Sequence, residues 1–159
     1  MPARLRKARK KSGLTRAGLS HKVGRDSKIA ADIETLERLP TVGTAARLAV
    51  ALGISAAWLS YGIGDERSEG EPAECSGMGA RLRAVRTQQG HTKASLARLA
   101  ELNPGSIAGI ESGGQAGIDT VEQLAKALHI SPAWLAYGVG PQAAPSRRGA
   151  RDSLPASNP

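Results

Sequence analysis

The stretch that decides the fold runs from Arg4 to Glu34, RLRKARKKSGLTRAGLSHKVGRDSKIAADIE, because it is written again from Arg81 to Glu111 as RLRAVRTQQGHTKASLARLAELNPGSIAGIE. At a displacement of 77 positions, Arg4, Leu5, Arg6, Arg9, Gly13, Thr15, Leu19, Ile33 and Glu34 return as Arg81, Leu82, Arg83, Arg86, Gly90, Thr92, Leu96, Ile110 and Glu111. Self-similarity at a fixed period marks a duplicated structural unit. Further along, the displacement falls to 76, and Leu48, Ala49, Leu52, Ile54, Ser55, Trp58, Leu59, Tyr61, Gly62 and Gly64 return as Leu124, Ala125, Leu128, Ile130, Ser131, Trp134, Leu135, Tyr137, Gly138 and Gly140. One residue is therefore missing from the second copy, between Leu39 and Thr44, which marks a loop.

Within each copy the apolar spacing is helical, as in Leu5 and Ala8 or Leu48, Ala51 and Leu52, and no run alternates with the period of two that a strand needs. The predicted class is all-α. Breakers divide the copies into helices over roughly 2–12, 16–23, 27–35, 42–52 and 56–61, and again over 79–89, 93–100, 104–111, 118–128 and 132–137. Thr15 and Thr92 suit the start of the second helix, and Asp26 and Asn103 that of the third, since their side-chain oxygens accept from orphan amides. Pro104 and Pro132 fall at first helical positions, where proline loses nothing. A helix of about eight residues, a three- or four-residue turn and a second helix of similar length is the spacing of a helix-turn-helix. Such a pair is too short to stand alone, so the flanking helices must supply its core.

Composition agrees with two small helical units. The 159 residues include no Phe, two Trp and two Tyr, so the cores are aliphatic, and Trp58 and Trp134 are expected as core plugs. The formal net charge of +8 and the pI near 10.3 point to an acidic partner, nucleic acid or an anionic membrane surface. The charge is unevenly distributed: residues 1–64 carry 12 basic and 4 acidic side chains, residues 65–78 carry 1 and 5, and residues 79–140 carry 6 and 4. The domains are accordingly read as 1–64 and 79–140, with an acidic, flexible linker over 65–78 and a disordered tail over 141–159. No run of 18 apolar residues and no apolar export core is present, so the expected compartment is the cytoplasm, in association with the nucleoid. The lone Cys75 leaves no internal disulfide and no thiolate-rich metal site. His21, His91 and His129 are scattered, no metal-ligand spacing occurs, and no nucleotide-binding glycine loop is found. No enzyme activity, cofactor, metal or small-molecule ligand is expected.

The pattern Thr92, Leu96, Ala97, Ile107, Ile110, Glu111, Gly113, then Leu124, Ala125, Leu128, Ile130 and Ser131 resembles the lambda-repressor-like helix-turn-helix family, which includes phage repressors and Cro proteins and is also called the XRE family. The endings ISAAWLSYGIG and ISPAWLAYGVG resemble the fifth helix of the phage-repressor branch, which there serves subunit contact. The resemblance implies two tandem five-helix bundles and sequence-specific binding of double-stranded DNA by a transcriptional regulator of repressor type. It also implies a buried ion pair between the first and third helices, Arg9 with Glu34 and Arg86 with Glu111, that orients the recognition helix.

Along the family pattern, the groove-facing positions of the first copy fall on Arg16, Ser27, Lys28 and Asp32. Lys28 is suited to donate to guanine, Asp32 to accept from cytosine, and Arg16 to take a guanine or a phosphate. Arg4, Arg6, Lys7, Arg9, Lys10, Lys11 and Arg38 are candidate phosphate contacts that set affinity without reading sequence, the alternative being a solvated basic face. The first copy departs from the pattern at Arg25, at Leu36, which replaces a turn glycine, and at Ala30, which replaces an isoleucine. With Ile29 one place early, its third helix is expected to be rotated or loosely packed. In the second copy the groove positions are Lys93, Pro104, Gly105 and Gly109, so direct reading is expected to be weak, with Asn103 and Ser106 as remaining contacts. The first copy should therefore dominate. A free linker of 14 residues, with a root-mean-square span of about 20 Å and a maximum near 46 Å, permits both modules to reach half-sites about 34 Å apart. Homodimerisation is equally compatible with the sequence. A competing reading is an antitoxin or protein-interaction regulator that uses the same scaffold to bind a protein.

Overall fold

A computed structural model of the protein describes residues 1–24, 28–67 and 76–144. Among these residues all regular structure is helical: α1 (Pro2–Lys11), α2 (Arg16–Lys22), α3 (Ile29–Thr35), α4 (Val42–Leu52) and α5 (Ala56–Tyr61), then α6 (Met78–Gln88), α7 (Lys93–Leu99), α8 (Pro104–Glu111), α9 (Ile118–Ala127) and α10 (Pro132–Tyr137). The chain thus forms two successive five-helix bundles, as the duplication implies. The expected cap at Asp26 lies outside the described residues, as do Arg25, Ser27, Cys75 and the tail from residue 145.

Local chemistry explains the boundaries. Thr15 accepts from the Gly18 amide at 3.0 Å, and its counterpart Thr92 accepts from Ser95 at 3.0 Å. Asn103 accepts from Gly105 at 2.8 Å, with Pro104 at the first helical position. Each such cap contributes about 1 kcal/mol by satisfying an orphan donor. Ser55 and Ser131 cap α5 and α10 in the same way, and Gly62 and Gly138 close them in the left-handed region at φ of 73° and 69°.

Each bundle has a small aliphatic core. Leu5, Leu19, Leu48 and Leu59 are fully buried in the first, as are Leu82, Leu96, Leu124 and Leu128 in the second. Trp58 and Trp134 are only half-buried and pack against the outside of these cores rather than plugging them. The expected rotation of the third helix does not occur. Ala30 is fully buried, as is its counterpart Ile107, so α3 keeps the register of α8 while Ile29 packs at the margin. The Ala30 amide, at the open start of α3, donates to the buried Ser20 hydroxyl at 3.1 Å, a service that Ala97 at the matching place in α7 is unable to provide. Leu36 is 61 % exposed, and the left-handed turn that glycine takes at Gly113 is displaced by one residue to Glu37, at φ 52°. The extra residue of the first copy accommodates that displacement.

The bundles are docked on each other through matching surfaces. The Val42 amide donates to the Ala116 carbonyl at 2.9 Å, and the Ile118 amide donates to the Pro40 carbonyl at 3.2 Å, with Thr41 opposite Gly117 in an antiparallel bridge. Val42 and Ile118 are counterparts at a displacement of 76, as are Pro40 and Ala116, and Thr41 and Gly117. Each module therefore gives the other what it receives, the signature of a two-fold contact between like surfaces. Helices α5 and α10, also counterparts, pack together across the same contact, with the Tyr61 and Tyr137 ring centroids 6.3 Å apart.

Both ends of the acidic segment, where described, belong to the bundles. The Ser55 amide donates to the Glu66 carbonyl at 2.9 Å, and the equivalent Ser131 amide donates to Gln142 at 2.8 Å. Met78, at the start of α6, is buried. Free tethering is therefore the wrong picture for these modules, since hydrogen bonds between them fix their relation.

One break in the symmetry has an energetic consequence. The Tyr137 hydroxyl sits 2.8 Å from Ser60 Oγ and donates to the Val42 carbonyl at 3.4 Å. Ala136 replaces Ser60 in the second copy, and the buried Tyr61 hydroxyl has no hydrogen-bond partner among the described residues. Burial pushes the Tyr61 phenol well above its ordinary value, which keeps it neutral. Tyr61→Phe should leave stability unchanged or raise it, because an unsatisfied buried hydroxyl costs about 1–3 kcal/mol. Tyr137→Phe should lower it by about 1 kcal/mol or more. Thermal unfolding of both variants checks the opposite signs.

Candidate nucleic-acid interface

A recognition helix is useful only if its outer face is held at a fixed attitude, and here the fixing element is a carboxylate. The Glu34 side chain is closed to solvent. Arg9 on α1 meets it with two parallel bonds, Nε to Oε1 at 2.7 Å and Nη2 to Oε2 at 2.9 Å. The remaining Arg9 nitrogen donates to the Leu14 carbonyl at 2.7 Å, in the turn before α2. Arg6 donates to the Glu34 carbonyl at 2.8 Å, and Arg16 Nε, on the first turn of α2, reaches Oε2 at 3.1 Å. One acid thus ties α1, α2 and α3 together.

The second module repeats the device. Arg86 spans Glu111 at 2.5 and 3.2 Å and donates to the His91 carbonyl at 2.8 Å. Arg83 approaches the same carboxylate at 3.5 Å and Lys93 at 3.8 Å. Fork-on-fork geometry of this kind satisfies a buried carboxylate that would otherwise be expensive to desolvate. Burial by itself would raise the Glu34 carboxyl, but the hydrogen bonds from Arg9 and Arg16 outweigh it and hold the group below its ordinary range. At Glu111 the Arg86 hydrogen bond is the leading cause of the same depression.

The arginines at the head of each repeat are also directed inward. Arg4 donates to the Leu59 and Ser60 carbonyls at 3.0 and 2.8 Å, and Arg81 donates to those of Leu135 and Ala136 at 3.0 and 2.9 Å. They close the last turns of α5 and α10, whose carbonyls lack helical partners. Arg4 and Arg9, expected among the phosphate contacts, therefore have internal positions. Nothing in the sequence of the first copy alone separates them from their neighbours; their recurrence as Arg81 and Arg86 does.

What remains outside is a cationic surface on the first module. Lys7, Lys10, Lys22, Lys28 and Arg38 are exposed, with no ion-pair partner among the described residues. Lys28 stands at the entrance to α3, and Asp32, half-buried, lies one turn further along the same helix. Lys11 is exposed but reaches Glu66 at 3.0 Å, and Arg6 and Arg16 share their charge with Glu34. Ser27 lies outside the described residues.

On the second module Lys93, Asn103, Pro104, Gly105, Ser106 and Gly109 are all exposed at the corresponding face. The Asn103 side chain is committed to the Gly105 amide at 2.8 Å. At the places of Lys7, Lys10, Lys11, Lys22 and Lys28 stand Ala84, Thr87, Gln88, Leu99 and Gly105. The scaffold is shared, and the charge is not. Neither a helix long and apolar enough to cross a membrane nor a metal-binding group of side chains occurs among the described residues.

A protein-family model described as Helix-turn-helix matches the chain twice, over residues 5–59 and 82–135. No curated protein and no solved structure matches it.

Because the folded chain binds protons at Glu34 and Glu111 only at lower pH than the unfolded chain does, both pairs contribute fully above the ordinary value of 4.5. That contribution should disappear as pH falls through the depressed folded values. Glu34→Gln, which leaves Arg9 buried without its anion, should cost about 3–5 kcal/mol at neutral pH. It should also flatten the acid limb of stability, as denaturant titrations between pH 3 and pH 7 would register.

Proposed function

The chain belongs to the lambda-repressor-like helix-turn-helix family, a family of DNA-binding transcription regulators, and from that premise we propose that it binds double-stranded DNA sequence-specifically as a repressor-like regulator, with the first module as the main reader. The observation that carries this reading is the set of exposed cations on the first module that have no ion-pair partner among the described residues, on a bundle whose third helix is held by Glu34. In this fold the third helix enters the major groove and the second crosses the backbone.

Lys28, at the start of α3, is the residue best placed to donate to guanine O6 and N7, and Asp32 on the next turn to accept from cytosine N4. Arg16 has its Nε on Glu34, which leaves the terminal nitrogens of a half-exposed side chain for a phosphate or a base. Arg6, Lys10, Lys11 and Arg38 supply sequence-independent attraction to the phosphate backbone. Lys93, Asn103 and Ser106 are the polar groups with which the second module adds weaker contacts. Action on the chromosome implies a cytoplasmic, nucleoid-associated protein.

The competing reading, an antitoxin-like regulator bound to a protein partner, draws on the second module. There Leu99, 53 % exposed, occupies the place of Lys22, and Pro104, Gly105 and Gly109 replace hydrogen-bonding side chains. It leaves the excess of basic side chains in residues 1–64 without a purpose.

Two substitutions separate reading from attraction. Lys28→Ala should weaken binding to the best site by about 1–3 kcal/mol and relax the preference at one base pair. Lys10→Gln should weaken all duplexes alike and reduce the slope of log affinity against log salt by about 1. Fluorescence anisotropy on specific and scrambled duplexes across a salt series measures both. Unchanged binding by both variants would contradict the proposal.

A further inference from the structure

The contact between the modules carries a second conclusion, which rests on the DNA-binding reading and gives it a substrate. The paired hydrogen bonds at Val42–Ala116 and Ile118–Pro40 link counterpart residues in both directions. The α5–α10 packing and the Tyr61–Tyr137 contact obey the same exchange. An operation that superposes one module on the other therefore approximates a two-fold rotation, which also exchanges α3 with α8. A duplex has local two-fold axes of its own, and two recognition helices related by such an axis fit successive major-groove segments on one face.

In an ordinary symmetric assembly this surface would be offered to a second chain. Here it is covered from within. Tyr137 is buried against Ser60 and Val42 of the other module, and both backbone donors of the bridge are satisfied. The faces that the rotation exchanges are nonetheless unequal, with Lys28 the counterpart of Gly105, Lys22 of Leu99, and Lys10 of Thr87.

We infer that one chain does the work of a dimer: a single molecule occupies a DNA site of two half-sites about one helical turn apart, of which only the half beneath the first module is constrained in sequence. The second module holds its half through the duplex backbone. The preferred site is thus an asymmetric one, a specific half beside a permissive half, instead of a palindrome.

The experiment takes the full chain and the duplex that it selects from a random pool at low ionic strength. Sedimentation of free protein and complex should give one chain of 16.5 kDa and one chain per duplex. Hydroxyl-radical footprinting should protect two backbone segments one turn apart. Scrambling the half beneath the first module should lower affinity tenfold or more, and scrambling the other should change it less than about threefold.

A double variant at the docking bridge supplies an independent readout. Val42 and Ile118 are the first residues of α4 and α9, where proline is tolerated, so Val42→Pro with Ile118→Pro removes the two inter-module donors and leaves each helix intact. The specific half should stay protected while protection of the permissive half is lost, with circular dichroism confirming unchanged helix content. Two chains per duplex, a palindromic preference or a one-segment footprint from the unaltered chain would overturn the single-chain dimer and leave DNA binding standing. Failure to bind any duplex at low salt would instead remove the reading on which it rests.

Discussion

A carboxylate closed to solvent, met by a guanidinium from another helix, is the constraint on which each module depends. Glu34 and Glu111 lie on the third helices of their bundles, and each is gripped by an arginine from the first helix in a planar, two-bond arrangement. A buried charge is tolerated only when its lone pairs are filled, so the positions of α1, α2 and α3 are fixed together or not at all. The aliphatic cores are small, and hydrophobic contact alone leaves helices of seven or eight residues free to roll. The ion pair converts a pair of packed helices into an oriented one, which is what the proposed presentation of Lys28 and Asp32 to a groove requires.

The same scaffold has been put to unequal use. The large core leucines, the caps at Thr15 and Ser55 and the ion pairs recur between the copies because packing and buried charge demand them, and the other positions buried in both copies change among small and aliphatic side chains and serine. Exposed positions are under no such demand, and there the copies diverge: lysines in one stand where alanine, threonine, glutamine, leucine and glycine stand in the other. Docking lies between these extremes. Its backbone exchange is symmetric, yet Ser60 against Ala136 leaves one tyrosine hydroxyl bonded and the other without a partner among the described residues. A covalent pair of modules can accept that asymmetry, whereas two identical chains would carry the same residue on both sides.

Much of this was legible in the sequence. The duplication, the helical periodicity and the threonine and asparagine caps place every helix to within one or two residues, because those signals are local. The Arg9–Glu34 and Arg86–Glu111 pairs follow from the family resemblance and meet in the structure. The further arginines around Glu34 were hidden, although Arg6 and Arg83 recur and a cation opens the second helix in both copies, as Arg16 and Lys93. Cations clustered in sequence look alike until the fold turns Arg4 toward the end of α5 and leaves Lys10 in water. The register of α3 is illegible in the sequence because Ala30 carries too little side chain to mark a core position. The docking is equally silent in the sequence. It is built from backbone groups at Pro40, Val42, Ala116 and Ile118, and backbone hydrogen bonds between distant segments leave almost no trace in side-chain pattern.

The most direct test of the account is a selection of bound sequences from random duplexes with the full chain, read base by base. One compact block of strongly preferred base pairs is expected, flanked at one helical turn by a segment that is protected but unselective. No enrichment over the starting pool, with equal retention of every duplex, would contradict the claim that the first module presents a sequence-reading helix to the groove.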